Sequence, residues 1–372
     1  MIEYKDVISG KVSSDWTTLP QIDPGYDSFS VQTKKPKNFI DKSVRGVARY
    51  LSALPVSSLP ITLGEGATPL IKSKVFDDVY IKNEGLNPTG NFKDRESVVA
   101  LAYANEQGYK SLAIASSGNA ALSAAFYARL YNIRTTCYIP ERTPSSKMDM
   151  ITLFGAQTHI LGQTYEDSYH YLLNNLPKGS INITSGAMPL RSEGIKTIAY
   201  EIWEELGKVP DVIVCPAGNG SAVSAIYHGF VDLKDWGFTD KTPKMVSVQI
   251  EEADPINQAL LKNEWIVKLK TTVDSECEAI VADESFCSPK AVHALRESGG
   301  FGISVSDHQV LDGLRFAIDN EGIFPEFSSA SVFAALLENE SEIKKNGETV
   351  VLINTATGLK ETQSLRDKLG SR

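Results

Sequence analysis

Asp211-Val212-Ile213-Val214-Cys215-Pro216-Ala217-Gly218-Asn219-Gly220-Ser221-Ala222 is an apolar run that stops at a glycine-bearing loop and opens a helix-length stretch. A short apolar run bounded in this way suits a strand buried on both faces. The same succession recurs from about Ile61. Val79–Lys82, Ser111–Ala115, Thr135–Ile139, Asp211–Cys215, Met245–Ile250 and Thr349–Ile353 are the strand candidates, separated by helical stretches such as Phe92–Gln107 and Ala120–Tyr131. Strand–loop–helix alternation predicts an α/β fold: two lobes with parallel-type twisted sheets covered by helices. Ligands of such sheets bind beyond the carboxyl ends of the strands, so the loops there are where chemistry is expected.

Residues 51–97 and 190–372 read as a large lobe and 98–189 as a small one. Residues 1–50 mix Pro, Gly, Lys and aromatics without periodicity. They are expected to form an extended arm that packs on the main body or on a second subunit.

With 372 residues, 42% of them hydrophobic, the chain can bury the cores of two closely packed lobes. The formal charge is −9 and the Lys and Arg residues are scattered, which excludes an electrostatic footprint for nucleic acid. Any anionic ligand must therefore be held locally. No apolar run approaches the roughly 20 residues that span a bilayer, and Met1 to Lys11 lacks the apolar segment of a secretion signal. Cys137, Cys215, Cys277 and Cys287 have no metal-ligand spacing, and the five histidines form neither a metal nor a triad pattern. These features predict a cytoplasmic protein with no metal site.

Four loops carry the chemistry. Asn87-Pro88-Thr89-Gly90-Asn91-Phe92-Lys93-Asp94-Arg95 shapes a turn in which Asn91 or Thr89 can cap the following helix. Lys93 then falls in the first turn, where the positive end of the macrodipole favours a neutral, nucleophilic amine. The bland alternative is a solvated lysine beside Asp94. Ser116-Ser117-Gly118-Asn119-Ala120-Ala121 joins a strand to an alanine-rich helix. Its orphan N–H groups suit a carboxylate, or simply a capped helix start. Gly218-Asn219-Gly220-Ser221-Ala222 offers N–H groups that converge on a phosphate, although it is neither a dinucleotide fingerprint nor a Walker loop. Gly194-Ile195-Lys196-Thr197 is no Walker motif either, because the upstream glycine is missing. Thr355, in Asn354-Thr355-Ala356-Thr357-Gly358-Leu359-Lys360, can hydrogen-bond a pyridine nitrogen without carrying charge, or belong to an ordinary turn.

An amine, a phosphate cradle, a carboxylate cradle and a hydroxyl at successive strand ends are what pyridoxal 5′-phosphate (PLP) requires. From about Ser43 to Lys360 the chain resembles the fold-type II, tryptophan-synthase-type PLP enzymes, and among them the threonine synthases. The resemblance is carried by Leu63-Gly64-Glu65-Gly66-Ala67-Thr68-Pro69-Leu70, the Lys93 segment, the Ser116–Ala121 loop and Arg191-Ser192-Glu193-Gly194-Ile195-Lys196-Thr197. It implies that Lys93 holds PLP as an imine and that Asn119 contacts the ring oxygen. It further implies that Gly218, Asn219, Gly220, Ser221 and Ala222 hold the cofactor phosphate and that Thr355 faces the pyridine nitrogen. Ser116 and Ser117 would line the substrate pocket, and Arg191 would bind the phosphate of a phosphorylated amino acid, O-phosphohomoserine. A homodimer is the assembly it implies.

Asn91 stands where the family pattern has serine, Ser221-Ala222 where it has Gly-Asn, Ile195 where it has glutamine, and Ala356-Thr357 where it has Gly-His. These departures are expected around the pocket. They keep a rival reading open: β-replacement or β-elimination on another amino acid, as in cysteate synthase, cysteine synthase or dehydratase relatives. A PLP-binding protein without turnover is the reading from another class.

Overall fold

The computed structural model describes residues 2–19, 22–23, 25–116, 118–141, 143–270 and 273–369. Two sheets organise it. The larger runs, edge to edge, Phe301–Val305, Lys244–Ile250, Val212–Pro216, Val350–Asn354, Val79–Asn83 and Leu70–Lys72. Neighbours pair in parallel except Leu70–Lys72, which is antiparallel to Val79–Asn83. The central strands Val212–Pro216 and Val350–Asn354 are buried at every residue, as helices on both faces require. The smaller sheet, Gln157–Ile160, Arg134–Ile139, Ser111–Ala115 and Ile181–Asn182, is parallel throughout.

All six strand candidates are strands, displaced by a residue at most. The four unread strands of these two sheets carry weak signals: Gln157–Ile160 exposes three of its four side chains, Phe301–Val305 buries only two of its five, and Leu70–Lys72 and Ile181–Asn182 have three and two residues. The first 50 residues hold a structure that the missing periodicity hid. Val12–Ser13, Glu3–Asp6 and Phe29–Gln32 form an antiparallel sheet, so the sheets of this protein are not all of parallel type. Tyr4, Phe29 and Val31 are buried in the same core as Val98, Leu101 and Leu122. This segment packs on the main body.

Helix Lys93–Glu106 is buried from Asp94 through Ala102, on all sides rather than along one stripe. Helix Glu193–Leu206 crosses it at Gly194, where an added Cβ would lie 1.8 Å from the Arg95 carbonyl oxygen. Only glycine permits that approach. Beneath the crossing, the Arg95 guanidinium is wholly enclosed and meets Glu84 at 2.7 and 2.8 Å, Glu201 at 2.6 and 2.8 Å, and Thr197 at 2.8 Å. Thr68 donates to Glu84 at 2.6 Å and Tyr127 to Glu65 at 2.8 Å. The sequence signatures around Glu65 and Gly194 thus seat the helix that begins with Lys93.

Gly194→Ala is expected to lower unfolding stability by about 1–3 kcal/mol, the usual cost of overpacking, because the obstructing atom is backbone. Urea denaturation checks this; an unchanged midpoint would show that the two helices separate without cost.

Candidate active site

The ends of four parallel strands open onto one cleft, lined by Lys93, Ser116, Asn119, Gly218, Asn219, Gly220, Ser221, Ala222 and Thr355. Residues read separately from four loops are therefore brought together. Tyr165, Ser185, Glu278, Glu326 and Ser328 complete much of the wall. Ser117 lies outside the described residues.

Lys93 is the first residue of its helix, and its backbone N–H is received by the Asn91 side chain at 3.0 Å. Its Nζ is partly exposed to the cleft, 3.0 Å from Glu96 Oε1 and 4.4 Å from the centre of the Phe92 ring. The neighbour of this amine is Glu96, one helical turn on, and not Asp94. Asp94 turns the other way and accepts from Thr89 and Ser123 at 2.6 Å each.

Gly220 precedes helix Ser221–Asp235 with φ +91°, and no side chain caps that helix. Its first N–H groups have no intrahelical acceptor and border the cleft. Unpaired helix N–H groups of this kind suit a phosphate without cationic side chains. Gly218 is pressed against the opposite wall, where an added Cβ would sit 2.4 Å from the Ala279 carbonyl oxygen. In the second loop the Ser116 hydroxyl already accepts from Gly118 at 3.1 Å and Ala121 at 3.2 Å. The N–H groups of Asn119 and Ala120 remain for a carboxylate.

Asn119 is fixed by two charged partners. Its Nδ2 donates to Glu326 and its Oδ1 accepts from Lys360, both at 2.7 Å, which leaves one amide hydrogen for a ring oxygen. Behind it, Lys147 bridges Glu326 and Glu361 at 2.7 Å each. Burial raises the Glu326 carboxyl, but Lys147 and Lys360 outweigh it and hold that group well below the usual carboxylate range. Burial, with Glu326 beside it, pushes Glu361 up to about 8. Thr355 Oγ1 lies 2.7 Å from Ser329 Oγ, which itself accepts from Ala356 N–H at 2.9 Å. If Ser329 donates to Thr355, the Thr355 proton is free for a pyridine nitrogen. The donors present match the groups of PLP: a nucleophilic amine, an uncapped helix start, an amide and a neutral hydroxyl.

Arg191 is not on the cleft wall. It is buried behind it, with Nε on Glu96 Oε2 at 2.6 Å and Nη1 on the Ile183 carbonyl. Its Nη2 makes no hydrogen bond among the described residues. Ile195 is also away from the pocket: it is fully buried in the apolar core with Ile198, Val223 and Ile226, so this departure belongs to helix packing. Thr357 packs its methyl on Gly90.

The model of the pyridoxal-phosphate dependent enzyme family matches residues 61–356. The chain belongs to that family. It is 33% identical over 347 residues to a threonine synthase of Methanocaldococcus jannaschii, covering 90% of this chain and 86% of that one. It is likewise 33% identical over 351 residues to a threonine synthase of Methanosarcina acetivorans, covering 92% and 86%. Among solved structures, the processed form of threonine deaminase isoform 2 from Solanum lycopersicum superposes with a TM-score of 0.69 at 21% identity, over 95% of this chain and 94% of that chain. Maize serine racemase gives 0.68 at 20% identity, over 81% and 92%. These likenesses establish the fold-type II architecture, and PLP is the cofactor.

Glu96, Glu326, Ser329 and Glu278 escaped the sequence reading. Only Glu96 had a local signal, a carboxylate three residues after the lysine on one helix. Glu278 borders the cleft, and burial pushes its carboxyl up to about 7, with Lys147 lowering it and Glu326 raising it. A folded-state value above the unfolded one means that the native protein binds the extra proton. The stabilisation this gives is complete in acid and is lost as pH rises towards 7. Replacing Glu278 by Gln should therefore remove a loss on the order of 1–3 kcal/mol between pH 4.5 and 7. Urea unfolding of both proteins at pH 5 and pH 8 measures it; equal pH slopes would refute it.

Lys93→Ala should abolish borohydride-dependent labelling of the peptide at position 93 and all turnover, while circular dichroism stays native. Labelling at another lysine would move the cofactor attachment elsewhere.

Proposed function

We propose that this PLP-dependent lyase converts O-phosphohomoserine and water to threonine and phosphate, working as a cytoplasmic homodimer. The observation that carries the reading is the threonine synthase likeness over 90% of the chain, together with a cleft holding an amine, anion cradles and a neutral hydroxyl. The bound cofactor supplies an electron sink for the charge left at the substrate's Cα. The protein's residues orient and move protons. Lys93 would hold the cofactor and, once released by the substrate's amine, its Nζ would be the base for the α-proton. The N–H groups of Asn119 and Ala120 hold the substrate carboxylate. A neutral Thr355 partner leaves the pyridine nitrogen without full protonation, which suits elimination and replacement better than transamination. A proton would also leave Cβ, its electron pair forming the Cβ–Cγ double bond as phosphate departs from Cγ with the electrons of the C–O bond. Cγ would then regain a proton, and water would add its OH at Cβ and return its proton to Cα. Arg191 Nη2, buried and without an acceptor among the described residues, is the group remaining for a phosphate oxygen.

One observation favours the second reading. The cleft wall carries Glu278, Glu284 and Glu326, and Arg191 sits behind it. Glu326 is matched by Lys147 and Glu278 is raised to about 7, but among the described residues no arginine reaches this wall to receive a dianion, which suits β-replacement or β-elimination on an amino acid with a less charged leaving group.

Incubating the holoenzyme with O-phosphohomoserine should yield threonine and inorganic phosphate in equal amounts, followed by amino-acid analysis and phosphate assay. Turnover of phosphoserine, O-acetylserine or threonine with none from O-phosphohomoserine would reject the first reading in favour of the second.

A further inference from the structure

Glu96 is held at both carboxylate oxygens. Its Oε1 is 3.0 Å from Lys93 Nζ and receives the Ser221 hydroxyl at 3.4 Å; its Oε2 is 2.6 Å from Arg191 Nε. The side chain is fully buried, and Arg191 is itself anchored on the Ile183 carbonyl, so the carboxylate cannot swing away from the amine. Burial alone would raise the Glu96 carboxyl, yet Lys93 and Arg191 hold it below the ordinary range, so it is charged at working pH.

Glu278, Glu284 and Glu326 line the same cleft, and Glu326 is bound to Lys147 and Asn119 rather than to Lys93. Tyr165 and Cys287 face Glu96, and Cys215 faces Lys93; burial raises all three above their usual ranges. Among the described residues, Glu96 is thus the one anion in contact with the Lys93 nitrogen.

We infer that Glu96 is the counter-ion of the Lys93 nitrogen, a positioning residue that keeps a proton on that atom while the cofactor is joined to it and again after Lys93 has taken the substrate's α-proton. The α-proton passes from Cα to Nζ, the electron pair stays with the substrate, and an ammonium forms at the N-terminus of a helix. That is the wrong end of the dipole for a cation. The Glu96 carboxylate at hydrogen-bond distance supplies the opposite charge there. Arg191 acts in this arrangement through Glu96, by holding the far oxygen. The role is the same whichever amino acid is the substrate, so it stands or falls apart from the reading above.

The test is an alkaline titration of the holoenzyme's visible absorbance, which reports the proton on the lysine-bound nitrogen and needs no substrate. The wild-type protein should keep its visible band to a pH at least about one unit higher than E96Q, a roughly tenfold difference in proton affinity. E96D, whose carboxylate is drawn back by one carbon, should recover part of the shift. A purely structural role would lower stability without moving the titration. Coincident midpoints for wild type and E96Q would overturn the inference. Should E96Q not yield folded holoenzyme, E96D decides: a midpoint below that of the wild type supports the counter-ion, and an unchanged one overturns it.

Discussion

A guanidinium enclosed on all sides is intolerable unless every edge is met, and Arg95 imposes that condition on the centre of this protein. Its partners come from three separate segments: Glu84 after a strand of the large sheet, and Thr197 and Glu201 from the crossing helix, with Thr68 bracing Glu84. Lys82 extends the cluster to Glu201 at 2.8 Å and Glu205 at 2.7 Å. Such a cluster need not make the fold more stable than an apolar one would. Removing one member, however, leaves a buried charge unmatched at about 3–5 kcal/mol, so the cluster admits one arrangement of the segments. That arrangement fixes the helix two residues upstream of Arg95, and with it the amine of Lys93.

The same logic, one step closer to solvent, shapes the cleft. On one side Glu96 stands between Lys93 and Arg191; on the other Glu326 stands between Lys147 and the Asn119–Lys360 pair. Lys147 and Asn119 come from the part of the chain that carries the smaller sheet, Glu326 and Lys360 from the part that carries the larger. The second cluster therefore ties the two walls together. Glu326 and Glu361 share the one Lys147, and their carboxyls are driven in opposite directions as a result.

How far the sequence could be read follows from how local each cause is. The buried strands announce themselves because both faces are covered, and Val212–Pro216 and Val350–Asn354 need only apolar runs to be seen. The four loops are legible only as a set, because each taken alone also suits a helix cap or a turn. Glu3–Asp6 alternates exposed and buried side chains over only four residues, too few to establish a period. Glu326 and Ser329 lie in a helix start with no local signature, and their function comes from Asn119 and Thr355, hundreds and tens of residues away in sequence. Arg191 marks the boundary of this kind of inference. The residue pattern identifies it as important, whereas its burial on Glu96 determines whom it serves first.

That placement changes what the departures from the family pattern mean. Ser221 touches Glu96, which touches both the amine and Arg191, so a change in the phosphate loop and the charge state of the reactive nitrogen are physically one system. Ile195 and Thr357, by contrast, answer to packing against a helix and against Gly90. If Arg191 meets a substrate phosphate as proposed, that grip would depend on how much of its charge Glu96 leaves uncancelled. A carboxylate that already occupies the ε edge of a guanidinium denies a phosphate the two-pronged grip and leaves it a single nitrogen. A phosphorylated substrate would then be held weakly at its leaving group, and the phosphate produced would be correspondingly free to depart.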